Sequence, residues 1–223
     1  MDIINKKEYD SLWDIENILL QTRNNLDPLK KNVLRESYIT DFYLQLWWAE
    51  KPDLNAFRYA MHAYLSLVDD AKGRASLKNK NYLTVVDFSK WRSKNRFYVI
   101  NLFSKEVEYA VPVWHGKGSW EWEIPTSFSN NTWSLQSSLW AFKTPDQIVP
   151  ASHNRWMGLR LDWLEGLNNK ASDRGIFIHY GEMEKSEWCF ILPMDVKPME
   201  IMEKLKGGSL LFAYHPKYEG WYK

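Results

Sequence analysis

The chain has 223 residues, 45% apolar and 26% charged, with 29 Lys and Arg set against 28 Asp and Glu. That length and balance predict a folded domain with an appendage, exclude disorder, and leave no chain-wide field to attract a nucleic acid. The single cysteine, Cys189, excludes an internal disulfide and any thiolate-only metal site.

The opening residues Met1 to Glu8 carry no apolar signal region. The longest charge-free apolar stretches, such as Phe97 to Ser104, are strand-sized. They fall short of the roughly 20 residues a membrane-spanning helix needs. Tyr9, Leu12, Trp13, Ile15, Ile18 and Leu19 follow helical spacing, and Asn24, Asn25 and Pro28 break that run. Tyr38, Phe42, Leu46 and Ala49 form a second stripe that ends at Lys51-Pro52-Asp53. A third holds Leu54, Phe57, Met61, Tyr64, Leu65 and Val68, and it stops near Asp70 to Gly73.

From Tyr82 the period changes. Leu83 to Val86, Phe97 to Leu102 and Val107 to Trp114 read as short strands, and Lys117 to Ser138 as loops. Arg174 to Tyr180 predicts another strand, Val196 to Leu205 a short helix, and Ser209 to Tyr214 a last strand. Strands after a helical preface predict an α+β fold with an antiparallel or mixed sheet. No βαβ alternation and no glycine-rich nucleotide loop occurs.

Chemistry concentrates between Ile176 and Pro193, where His179 ends an apolar strand and Cys189 follows ten positions later. An imidazole in reach of a thiol can remove its proton, giving a thiolate–imidazolium pair able to attack a carbonyl. The alternative is a core thiol beside an unrelated histidine. His115, where a strand meets a glycine-containing loop, either lines the same pocket or is an exposed loop residue. His62 and His215 read as structural or surface residues, and His153 has no evident partner. No pair of histidines or carboxylates has metal spacing. Glu182, Glu184 and Glu187 read as a solvated loop. Lys90, Arg92, Lys94 and Arg96 read as a solvated hairpin tip rather than an anion-binding stripe. Most of the tryptophans crowding the middle of the chain, Trp114 to Trp163, are expected to fill gaps between sheet layers, the alternative for one or two being to stack on a ligand.

Several separated stretches resemble one family. Tyr82-Leu-Thr-Val-Val-Asp-Phe-Ser-Lys90, Arg96-Phe-Tyr-Val-Ile-Asn-Leu102 and Val113-Trp-His-Gly116 are similar to parts of murein L,D-transpeptidase catalytic domains of the larger YkuD-like type. So are Thr126 to Asn130, Ser134 to Leu139, Leu159 to Asn168 and Leu205 to Tyr214, all in collinear order over about residues 56–216. The resemblance implies a β-rich L,D-transpeptidase-like catalytic domain over 56–223, preceded by a helical extension, 1–55, packed on it. It places Cys189 as nucleophile and His179 as base, with Ser186 the signature serine and His115-Gly116 the pocket loop.

The implied reaction is acyl transfer on peptidoglycan stem peptides through a Cys thioester, resolved by an amine or by water. No metal and no organic cofactor is implied, and no nucleic acid. The substrate class implies an extracytoplasmic site, although no signal peptide is visible at the start of this chain. The segment from His179 to Cys189 is shorter than usual for the family, and Trp188 stands where a glycine is usual. If that position needs φ > 0, tryptophan is strained by roughly 1–2 kcal/mol. Lys185 and Phe190 stand where arginine and proline usually flank the signature; Lys185 keeps the charge but loses bidentate carboxylate binding. These departures leave two other readings: a weak or inactive relative that binds cell-wall material or another protein, and a kept scaffold turned to a different amide or ester.

Overall fold

Three aspartates start the first three helices. The side chain of Asp27 accepts from the Leu29 N–H and begins α1, Pro28–Gln45. Asp53 accepts from Asn55 and begins α2, Leu54–Asp69; Asp70 accepts from Gly73 and begins α3, Ala71–Ser76. Each carboxylate satisfies an N–H that the first helical turn leaves unpaired. The computed structural model describes residues 17, 18, 20, 27–47, 50–119, 123–151, 156–164, 168–181 and 186–221. Most of the stripe expected before Leu20, together with Ala49, lies outside them.

The stripe of α2 is fully committed to the core: Phe57, Ala60, Met61 and Leu65 are solvent-inaccessible, and the helix lies on the strands Tyr82–Asp87 and Leu210–Tyr214. Helix α1 adds Ile39, Phe42 and Leu46 to the same core, with the Phe42 and Phe57 rings stacked 5.8 Å apart. Its end is tied down where the Trp47 N–H donates to the Lys105 carbonyl at 2.9 Å.

Strands β1 (Tyr82–Asp87), β2 (Phe97–Asn101) and β3 (Glu106–Val111) form an antiparallel meander. The sheet continues from β1 to β10 (Leu210–Tyr214), then to β4 (Trp140–Lys143) and β7 (Asp162–Trp163), in the order β3-β2-β1-β10-β4-β7. The β1–β10 pair is parallel, with Val85 opposite Phe212, and the other pairs are antiparallel. Strand β10 is buried at every residue, as a central strand covered on both faces must be.

A second sheet has the order β5-β6-β8-β9, from β5 (Val149–Ala151), β6 (Trp156–Arg160), β8 (Phe177–Tyr180) and β9 (Phe190–Leu192). Phe190 joins the two sheets: its ring stacks on Phe88 at 6.0 Å and meets the edge of Phe142 at 5.8 Å. The α+β, mixed-sheet expectation holds.

Two local readings need correction. Arg174 does not begin a strand. It ends the short helix α4, Ala171–Arg174, and Gly175 at φ +60° turns the chain into β8. A left-handed residue there is the usual stop for a helix and suits glycine. Nor is Arg96 solvated: it is completely buried. The closing helix α5, Pro198–Leu205, buries Ile201, Met202 and Leu205 as expected. No described helix is long and apolar enough to cross a membrane.

Candidate active site

Strands β8 and β9 are parallel neighbours, with Ile178 opposite Phe190 and His179 opposite Ile191. Cys189 directly precedes β9, and continuing that register one step brings it level with Phe177. The Phe177 backbone amide lies near enough to the sulfur to favour its anion. Phe177 and His179 are two apart on one strand and therefore face the same side. Cys189 and His179 are thus carried on adjacent parallel strands, on the same face of the second sheet and two residues apart along it.

His179 is buried, and its Nδ1 lies 2.9 Å from the Tyr180 carbonyl oxygen. A carbonyl can only accept, so Nδ1 carries the proton and the lone pair is on Nε2. Burial holds the imidazole pKa below its ordinary value, so the ring is neutral at pH 7. Gly158 allows this placement: a Cβ there would lie 2.8 Å from the Ile178 carbonyl oxygen and 2.9 Å from His179 Cβ.

The Cys189 thiol donates to the Gly175 carbonyl, with Sγ and oxygen 3.8 Å apart. Burial pushes the thiol up to about 12, and Glu187 adds to that, while the Phe177 amide and Arg174 pull it down. No hydrogen bond joins Sγ to the His179 ring among the described contacts. The expected ionised pair is therefore not the resting arrangement here. A neutral thiol rests on a carbonyl, beside a neutral imidazole whose Nε2 is unprotonated.

The turn that presents Cys189 is closed by Ser186, whose hydroxyl donates to the Cys189 carbonyl at 2.8 Å. The pocket loop packs on this turn. Lys117 N–H donates to the Ser186 carbonyl at 2.8 Å, and Trp114 N–H to the Ile191 carbonyl at 2.9 Å. Gly116 N–H donates to Ser137 Oγ at 2.9 Å, which ties in the segment 134–139. Trp188 does not have a positive φ, so the expected backbone strain is absent. Its ring is half-buried and lies over the Arg174 guanidinium, 5.4 Å from centroid to Cζ.

Sequence reasoning placed Gly116, Ser186, Trp188, Cys189 and His179 together, and the structure brings their segments together. Lys185 and His153 lie outside the described residues. His115 is buried but turns to Arg96, whose Nη2 donates to its Nδ1 at 2.8 Å. Arg96 also donates to the Val113 carbonyl through Nε and Nη2 and to the Lys90 carbonyl through Nη1. The pocket loop is thereby clamped to the hairpin that follows β1. His62 bonds to Glu36 at 2.9 Å, and His215 Nδ1 accepts from the Lys217 N–H. No metal-binding group of His, Cys, Asp and Glu occurs among the described residues.

Arg174 was missed altogether. It is buried and donates to the carbonyls of Ser129 and Gln136 and to Ser138 Oγ. The only signal in the sequence was a lone arginine, next to a glycine, at the start of an apolar run.

No curated protein and no solved structure matches the chain. A family model does: that of the L,D-transpeptidase catalytic domain, YkuD_2, over residues 49–214. The match takes in every strand and all the site segments above. On that span, well over half of the sequence, the chain belongs to the L,D-transpeptidase catalytic domain family.

Proposed function

We propose that this protein transfers acyl groups on peptidoglycan stem peptides, as an L,D-transpeptidase or L,D-carboxypeptidase, with Cys189 as nucleophile and His179 as base. The observation that carries the reading is the anchoring of His179. Its Nδ1–H is fixed on the Tyr180 carbonyl, which leaves Nε2 as the proton acceptor on the strand next to Cys189.

Because the resting thiol is neutral, proton transfer to Nε2 accompanies attack rather than preceding it. The sulfur adds to the carbonyl carbon of the third residue of the stem. The tetrahedral intermediate collapses as the imidazolium returns its proton to the departing amine of the terminal D-alanine. The thioester left behind is opened by the amine of a second stem, giving a cross-link, or by water, giving a shortened stem. Gly116 lines the approach while His115 ties that loop to Arg96, Ser186 holds the turn, and Trp188 flanks the bound peptide, with Lys185 assigned to substrate binding by the family resemblance. A cavity of about 290 Å³ is bordered by Phe128, Ser138 and Trp140, on the segment that Arg174 holds through Ser138. The substrate places the working protein outside the cytoplasm. Residues 1–55 act as an extension that braces the domain 56–223.

Incubation with tetrapeptide-bearing muropeptides, read by mass spectrometry, tests this. Turnover by the native protein and none by Cys189→Ala is the expected result. Absence of both turnover and carbapenem acylation of Cys189 would overturn it. The thiol's engagement with Gly175 favours one second reading, a weak or inactive relative that binds cell-wall material. That reading expects equal binding to murein sacculi by the native protein and Cys189→Ala, with no turnover by either.

A further inference from the structure

The thiol of Cys189 rests on an acceptor. Once its proton leaves, the sulfur can no longer donate, and the Gly175 carbonyl oxygen repels the negative charge it previously held. The Phe177 amide is then the backbone donor left to the half-buried sulfur, and a charged donor would stabilise its anion further. The neighbouring residue supplies one: Arg174 Nε is buried and has no hydrogen-bond partner among the described residues.

The rest of the guanidinium is held. Nη1 donates to the Ser129 carbonyl at 2.6 Å and to Ser138 Oγ at 2.5 Å, and Nη2 donates to the Gln136 carbonyl at 2.5 Å. Trp188, the residue before Cys189, covers its face. No carboxylate bonds to Arg174 among the described residues, so this is a buried cation held only by neutral groups, an arrangement costly in isolation.

We propose that Arg174 is the counter-ion of the Cys189 thiolate: the sulfur leaves the Gly175 carbonyl on ionisation and takes the Arg174 Nε–H, with Trp188 keeping water from the pair. Arg174 and Cys189 are within electrostatic reach, each favouring the other's charged form. The other charged group acting on the sulfur is Glu187, which opposes ionisation. Its side chain is about half exposed and 3.9 Å from Lys117 Nζ, so water and that ammonium screen it, whereas Arg174 is shielded. His179, a neutral ring on the adjacent strand, receives the proton. One S–H bond breaks and one N–H bond forms.

This inference rests on Cys189 being the nucleophile, but its test needs no turnover. Cys189 is the only cysteine, so its alkylation by iodoacetamide as a function of pH reports one thiol. Arg174→Gln is expected to raise the apparent thiol pKa by about one unit, so that alkylation at a fixed pH below it slows about tenfold. Unchanged alkylation in a folded Arg174→Gln protein would overturn the proposal.

Because that variant removes three structural hydrogen bonds, the native protein gives a second readout. The Arg174 Nε–H resonance, followed by NMR, is expected to move downfield with the same apparent pKa as the alkylation. It is expected to stay fixed in Cys189→Ala. A resonance indifferent to thiol ionisation would overturn the proposal even if Arg174→Gln does not fold. Loss of muropeptide turnover with both readouts intact would instead overturn the acyl-transfer reading and leave this one standing.

Discussion

Gly116 lies against the backbone of Trp188: a Cβ on Gly116 would come within 2.9 Å of Trp188 Cα, 2.5 Å of the Glu187 carbonyl oxygen and 2.6 Å of the Leu135 carbonyl oxygen. Three segments distant in sequence meet at this point, and all three contacts are backbone atoms that cannot rotate away. Trp188 is accommodated because the missing side chain is across the interface, at position 116, rather than in its own backbone. Gly116→Ala is expected to destabilise the fold by about 1–3 kcal/mol, the usual range for overpacking a tight interior. It is also expected to push the Ser186–Cys189 turn outward and so expose the thiol. Urea denaturation and the alkylation rate of Cys189 check this together: stability should fall and alkylation should speed up. A variant with native stability and native alkylation would mean that the loop yields freely.

Among the described residues Arg96 bonds to no carboxylate, yet it is the hub on which the pocket loop hangs, through the Val113 carbonyl and His115 Nδ1. Burial lowers its pKa to about 9, so at neutral pH it remains charged and donates on every contact. Arg96→Met keeps much of the volume but strands two carbonyls and a ring nitrogen. The expected loss is about 3 kcal/mol, since each orphaned buried acceptor costs roughly 1–3 kcal/mol and relaxation recovers part. The urea midpoint should drop with the slope of the transition unchanged. A loss below about 0.5 kcal/mol would place this arginine with ordinary surface residues.

Much of this could be read along the chain. The start of α2 was written at Asp53 and its stripe as apolar residues at helical spacing, whereas Asp27-Pro28 and Asp70 read as breaks although each also caps the helix that follows. Strands β1, β2 and β10 showed as β-branched and aromatic runs because they are buried. Strands β4 to β7 did not, being only two to five residues long among loop residues. The parallel β1–β10 pairing joins the two ends of the domain, and no local pattern encodes such a contact.

At the site, Cys189 and His179 stood out because chemistry marks their residue types. Arg96 and Arg174 did not, because arginine is usually a surface residue and only tertiary burial sets these two apart. The solvated hairpin tip failed at Arg96 for the same reason.

Two of the three histidines buried among the described residues weaken the fold in acid. Burial holds His179 and His215 below the ordinary imidazole pKa, and the Lys217 charge adds to the effect at His215. The unfolded chain therefore binds more protons than the folded one once the pH falls below about 6.5. The stability these rings contribute is complete above that pH and is lost as the pH drops through it toward the folded-state values. The urea midpoint is expected to decrease from pH 7 to pH 5, with a shallower decrease in His215→Gln. A midpoint that holds steady or rises over that interval would show that both rings are accessible to protons in the native state.

Gly158 tests whether the position of His179, rather than its mere presence, matters to the chemistry. Strand β6 crosses β8 so closely here that an added methyl group meets the Ile178 carbonyl oxygen at 2.8 Å and His179 Cβ at 2.9 Å. Either the strands part or the imidazole swings, and both move Nε2 relative to the sulfur on the far side of β8. A displacement of about 1 Å at a reacting group commonly costs on the order of a hundredfold in rate. Gly158→Ala is therefore expected to lower muropeptide turnover by at least about tenfold, with substrate affinity changed far less. The His179 ring should also titrate closer to the ordinary imidazole value, as the loosened strands admit water. Turnover within twofold of the native rate, with the ring still titrating low, would mean that the base tolerates the shift and that its anchoring on the Tyr180 carbonyl alone sets the geometry.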